Sequence, residues 1–283
     1  MTIAVALRDA AVALGTISDT ARLDAELLMA HALGVSRSDL LLRHVRDAVP
    51  AGFAPLLARR LRAEPVAYIL GEQEFYGRSF IVTPDVLIPR GDSETIVEAA
   101  LDARPDPARV LDCGTGSGAL LLTVLAERAK AQGVGIDRSP GALAMAQANA
   151  GRLGLGERVR FVRADWHVDG WAQDLGRFDL ILANPPYVEE DARLHDSVRA
   201  FEPAEALFAG PEGLNDYRAL VPQLPQILCE NGVAVLEIGA TQAQAVEKIA
   251  AASGFCVQCQ HDLAGRPRAM ILTLGLGKPG SSG

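Results

Sequence analysis

The sequence predicts a mostly parallel α/β sheet with helices on both faces, preceded by a small helical bundle and a β-hairpin. Three observations carry this expectation. From residue 109 onward, short β-prone runs alternate with helical ones, the pattern of repeated βα units. A glycine-rich turn, "VLDCGTGSGALLL", follows the first of those runs. Residues 1–70 instead carry apolar residues at helical spacing.

In chain order, "TIAVALRDAAVAL" and "DTARLDAELLMAHALG" read as helices. In the second, Leu23, Leu27, Leu28 and Ala32 share one face, and Gly34 is the expected terminator. "SRSDLLLRHV" opens with a cap at Ser36 or Ser38, and Pro50 suits the first turn of a helix through "PAGFAPLLARRLRAE". Residues 1–70 are therefore expected to form a bundle that either caps the fold or docks a partner. Residues 71–90 carry aromatic and β-branched residues punctuated by Gly77 and Pro84, which predicts a hairpin linker. Residues 91–276 hold seven predicted strands: "RVLDC", "GVGID", "RVRFVRAD", "RFDLILAN", "GVAVLEIG", "FCVQCQ" and "RAMILTLGL". Helices fall between them, one near residues 216 to 229. The tail 277–283, "GKPGSSG", is expected to be disordered.

With 49% hydrophobic and 22% charged residues among 283, the composition is that of a globular protein. No apolar run reaches the ~18 residues a membrane span needs. The N-terminal run is broken by Arg8 and Asp9, so it fails as a signal peptide. The expectation is a cytoplasmic monomer without a membrane partner. A net charge of −8 argues against nucleic acid as a direct partner and suits a basic protein better. Cys256 and Cys259 form a C-x-x-C on a predicted strand, where positions three apart point to opposite faces. With no second pair, and no metal spacing among His31, His44, His167, His195 and His261, no metal is expected.

Gly114, Gly116 and Gly118 at a strand-to-helix turn let backbone approach a ligand closely, with Thr115 and Ser117 between them. Asp137 ends the second strand, 19 residues after Gly118, where a carboxylate can accept both ribose hydroxyls of an adenosine. The pattern differs from a dinucleotide fingerprint, because Asp112 opens it. A carboxylate there repels a pyrophosphate but attracts the amino end of a methionine moiety, which selects S-adenosylmethionine over NAD. Asp165 and Trp166, after the third strand, are candidates to bind the adenine amino group and cover its face; simple packing is the other reading of Trp166.

Asn184-Pro185-Pro186-Tyr187 follows the fourth strand, beside the point where open α/β sheets bind ligands. A sulfonium methyl is already activated, so the difficulty lies with a delocalised nitrogen nucleophile. The Asn184 side-chain oxygen and the Pro185 carbonyl can accept both N–H bonds of one NH2 group and aim its lone pair. Pro185 and Pro186 hold that carbonyl still, and Tyr187 offers a flat face for stacking.

With "DCGTGSG" and "NPPY", and with "EFYGRSFIVTPDVLIPRGDSE", "FEPAEALFAGPEGLNDY", "LEIG" and "DLAGRPR" around them, the chain resembles the peptide chain release factor glutamine methyltransferases (the HemK/PrmC family). The likeness runs from about residue 60 to 275. It implies a class I, Rossmann-like methyltransferase fold with a seven-stranded sheet and a helical N-terminal domain. It also implies methylation of the glutamine N5 in the Gly-Gly-Gln loop of bacterial release factors. Gly114 to Gly118, Asp137 and Trp166 would then line the cofactor, and Asn184 to Tyr187 hold the glutamine. One departure is Gly91, where the family usually has a proline, and Arg90 and Glu94 are kept out of the expected site for that reason. The alternatives are a ribosomal-protein glutamine methyltransferase, a DNA adenine-N6 methyltransferase and a docking module without catalysis. A DNA enzyme would need a basic cleft and a target-recognition region, for which the chain leaves little room.

Overall fold

The computed structural model describes residues 1–275, so the expected tail 277–283 lies outside the described residues. The chain divides into two compact units. One comprises Met1–Glu72 with Leu194–Phe201, the other Gln73–Arg193 with the chain from Glu202 onward.

In the first unit, α1 (Ile3–Leu14) packs along α2 (Ala21–Leu33), followed by α3 (Arg37–Asp39), α4 (Phe53–Arg60) and α5 (Val66–Leu70). Leu7, Leu14, Leu28, Met29 and Leu40 are its buried centre. Gly34 adopts φ +69° and ends α2 as expected. Ser36 is the cap of α3, accepting from the Asp39 N–H at 3.0 Å. Pro50 does not begin a helix; it opens a turn whose carbonyl accepts from Phe53, where α4 starts.

The inward face of α2 also differs from the expectation. Ala25, Leu28 and Met29 are buried, whereas Leu23 is exposed. Asp24 and Glu26 cause the rotation, because both are buried with partners. Asp24 accepts from Arg60 at 2.8 Å and from the Ser18 and Thr20 hydroxyls. Glu26 pairs with Arg22 and Arg37.

From Gln73 onward the second unit opens with a hairpin of β1 (Glu72–Phe75, its first residue counted with the first unit) and β2 (Arg78–Ile81). Its two-residue turn, Tyr76-Gly77, has positive φ at both positions, which matches the right-handed strand twist. The Glu94 carboxylate accepts from the Tyr76 N–H at 2.8 Å, a structural role for a residue the sequence left unassigned. The remaining elements are α6 (Glu94–Ala103), β3 (Arg109–Cys113), α7 (Ala119–Glu127), β4 (Gln132–Asp137), α8 (Pro140–Arg152), β5 (Val159–Arg163), β6 (Phe178–Ala183), α9 (Asp196–Phe201, counted with the first unit), α10 (Asn215–Leu220), α11 (Leu224–Ile227), β7 (Leu228–Glu237), α12 (Ala243–Ala252), β8 (Phe255–His261) and β9 (Pro267–Leu274). The helix expected near 216 to 229 is broken into α10, a 3-10 turn and α11, and β7 begins at Leu228. Pro222 and Pro225 lack the N–H that would continue it.

The expected seven strands form one sheet in the order β5-β4-β3-β6-β7-β9-β8, with only β9 antiparallel to its neighbours. The chain walks outward from β3 to β5, then returns to place β6 on the other side of β3. That reversal opens a crevice at the C-terminal ends of β3 and β6. Cys113 and Ala183 pair across it, so Gly114 and Asn184 leave the sheet side by side. Among the described residues, no helix is long and apolar enough to cross a membrane.

Candidate active site

A cleft of about 1000 Å³, open mouth included, lies at this crevice. Its walls include Asp112, Gly114, Thr115, Gly116, Ser117, Asp137, Asp165, Trp166, Asn184 and Pro186 from the sequence-expected set. Gly118, Pro185 and Tyr187 are not among the lining residues.

The floor is the turn after β3. Gly114 and Thr115 both donate to the Ile136 carbonyl, at 2.9 and 2.8 Å, which stitches the turn to β4. Gly114 has φ +75°, and a Cβ there would stand 3.2 Å from the Trp166 ring, so a side chain would be strained and would crowd the wall. Asn149 of α8 donates to the Ser117 carbonyl and makes two bonds to Ile81, tying the turn to the hairpin strand β2.

Asp112 is buried beneath the turn. One carboxylate oxygen accepts from the Thr115 hydroxyl at 2.7 Å, and the other has no partner among the described residues. Burial pushes its carboxyl up to about 7, and the nearby Asp137 charge adds to the rise. An unpaired buried acceptor beside a cleft is costly unless a cationic donor reaches it, so the site suits an ammonium group.

Asp137 accepts from the Gly116 N–H at 3.0 Å and the Ser139 N–H at 2.9 Å, one on each oxygen. Burial raises its carboxyl pKa, while the two N–H groups favour the charged form. Each oxygen keeps a second lone pair, which suits a vicinal diol. Together with the glycine turn, these groups fit the adenosine and amino-acid ends of S-adenosylmethionine.

The Trp166 indole N–H donates to Asp216 at 3.0 Å, which fixes the ring against Gly114. Asp165 is engaged by the backbone and imidazole of His167, at 2.9 and 3.1 Å. Partial burial pushes the Asp165 carboxyl up, but these hydrogen bonds outweigh it and hold it below the usual value. Tyr187 packs toward the core, and its hydroxyl donates to Glu237 at 3.1 Å. Burial, with the neighbouring Glu237, pushes the phenol well above its usual pKa.

Residues 5–71 match a family model described as the PrmC N-terminal domain, and residues 106–259 one described as a methyltransferase domain. The release factor glutamine methyltransferase of Cereibacter sphaeroides is 44% identical over 263 residues, covering 90% of this chain and 92% of that one. That of Nitratidesulfovibrio vulgaris is 39% identical over 270 residues, covering 92% and 91%. The chain belongs to the release factor glutamine methyltransferase family. The family expected from "NPPY" and its companion motifs is thus borne out. Among solved structures, a methyltransferase from Pyrococcus furiosus aligns with a TM-score of 0.53 at 17% identity, over 79% of this chain and 100% of that one, a likeness of fold.

Several wall residues carry no chemical signature in the sequence. Arg90 lines the cleft and is paired with the buried Glu202, which also accepts from the Ile88 N–H at 3.2 Å. Asp216 lines it too. Glu202 and Asp216 both lie within "FEPAEALFAGPEGLNDY", one of the stretches that carry the resemblance, but nothing in its spacing assigns them partners.

Proposed function

We propose that this chain transfers the methyl group of S-adenosylmethionine to the side-chain amide nitrogen of the glutamine in the Gly-Gly-Gln motif of peptide chain release factors. The observation that carries the reading is the meeting, in one cleft, of Asn184 and Pro186 with the Asp112 carboxylate, one oxygen of which has no partner among the described residues. A cofactor held at Asp112 and Asp137 would share the cleft with an acceptor held at Asn184.

When bound, the sulfonium supplies an electrophilic methyl whose bond to sulfur breaks toward a neutral thioether. Asp112 holds the ammonium and Asp137 the ribose hydroxyls. Asp165 and Trp166 flank the base. The Asn184 side-chain oxygen and the Pro185 carbonyl accept the two N–H bonds of the glutamine amide, leaving its lone pair aimed at the methyl. Fixing the reactants in this way can supply up to ~7–11 kcal/mol. The nitrogen sheds a proton to water after the N–C bond forms, when it is far more acidic, so no side-chain base is needed. The N-terminal unit would dock the folded release factor.

Transfer of labelled methyl to a purified release factor tests the reading, beside its Gly-Gly-Gln→Gly-Gly-Ala variant and duplex DNA. Label on the first alone is expected. Label on DNA would mean that Asn184 holds an adenine amino group, and label on the alanine variant would displace the glutamine.

A further inference from the structure

The loop that would hold the acceptor leaves β6 at Ala183, and its far end is gripped from the neighbouring strand. Leu236 of β7 pairs with Ala183, which sets Glu237 level with Asn184. We infer that Glu237 and Gln242 are positioning residues for the methyl acceptor, acting through Tyr187; this rests on the acceptor role proposed for Asn184 and Pro185.

Two contacts grip Tyr187 at opposite ends. Its phenol donates to Glu237 at 3.1 Å, and its carbonyl accepts from the Gln242 amide at 3.0 Å. Each gripping residue is itself fixed. Glu237 is 1% exposed, and its backbone carbonyl accepts from the buried Tyr217 hydroxyl at 2.7 Å. Gln242 accepts from the Gly239 N–H at 3.0 Å and donates to the Gly213 carbonyl at 3.2 Å. Gly213 has φ +64°, and a Cβ there would stand 2.2 Å from the Tyr187 carbonyl oxygen, so the approach requires glycine.

The two prolines make the grip effective at a distance. Each fixes its own φ, so little slack remains between Tyr187 and Asn184. A carboxylate buried this deeply is not a cheap way to fill space, because an apolar residue of similar size would pack without desolvating a charge. Its carboxylate accepts from the Tyr187 hydroxyl, and that contact is where its effect on the loop is exerted.

The test measures single-turnover methyl transfer to a purified release factor and cofactor affinity by calorimetry. The variants are Glu237→Leu, Gln242→Met, Tyr187→Phe, the Glu237→Leu/Tyr187→Phe double and Asn184→Ala. Glu237→Leu and Gln242→Met should each slow transfer roughly 10- to 100-fold by misplacing the acceptor, with cofactor affinity unchanged. Adding Tyr187→Phe to Glu237→Leu should cost nothing further, since both remove one shared contact. Wild-type rates in both single variants overturn the inference. So does a rate loss matched by an equal loss of cofactor affinity, which marks a scaffold role. Slow Asn184→Ala beside fast grip variants overturns the inference alone, whereas fast Asn184→Ala overturns the acceptor role itself.

Discussion

Lowering the pH from 7 to 6 should weaken S-adenosylmethionine binding about fivefold through Asp112. The carboxyl is buried, has one oxygen without a partner among the described residues, and titrates near 7. At pH 7 about half of the free protein carries the carboxylate, and at pH 6 about one-eleventh does. An ammonium ligand needs that carboxylate, so binding releases a proton in this window and affinity rises toward neutral pH. Above ~8 the ligand's own amine loses its proton and affinity should fall again. Asp112→Asn should abolish the rise and weaken binding roughly 10- to 150-fold, the cost of one charge-assisted hydrogen bond. Calorimetry in buffers of different ionisation enthalpy reads both the affinity and the proton. Methylthioadenosine lacks the amino-acid arm, so its pH dependence isolates the part due to Asp137. The folding linkage has the opposite sense. The folded carboxyl near 7 lies above the unfolded 3.8, so the cofactor-free protein should lose stability as pH rises through that interval. Asp112→Asn should remove that slope as well. A wild-type dissociation constant that stays flat from pH 6 to 7 would refute the ammonium role.

Other outcomes are equally specific. Asn184→Ala should bind cofactor almost normally yet lose ~10²–10³-fold in turnover, as removal of one transition-state partner does, measured by steady-state methyl transfer. Asp137→Ala should weaken cofactor affinity, and an unchanged dissociation constant by calorimetry would remove it from the ribose. Asp24→Ala should destabilise the N-terminal unit by about 3–5 kcal/mol, because it strands the buried Arg60, and denaturant unfolding reads this directly. Removing residues 1–70 should raise KM for a folded release factor more than for a short Gly-Gly-Gln peptide; equal effects would make the bundle a stability cap.

The sheet was legible because each strand carries its own local signature and the order of βα units restricts the topology. "RVLDC" and "RFDLILAN" are apolar enough to be central strands, and β3 and β6 are indeed neighbours. Glycines and an acid after one strand, and an amide with prolines after the next, then sit at the crevice as a consequence of topology. The inward face of α2 was not legible for a physical reason. Apolar spacing assumes that charges face water, and Asp24 and Glu26 break that assumption through arginines 36 and 11 residues further along. Periodicity carries no information about such distant partners. The broken helix after residue 215 was readable in principle, since Pro222 and Pro225 stand in the sequence.

Tyr187 shows where motif reading stops. Beside an amide acceptor, a tyrosine suggests a stacking face, because its ring is the larger part of its surface. The structure ties its hydroxyl to Glu237 and its carbonyl to Gln242, 50 and 55 residues away. Both partners come from the end of β7 and the turn after it, which the sheet order sets beside β6. The motif therefore supplies the groups facing the reaction, while residues without any motif of their own determine how firmly those groups are held. A variant that keeps all four residues from Asn184 to Tyr187 but loses Gln242 should thus be a poor methyltransferase with an intact cofactor site.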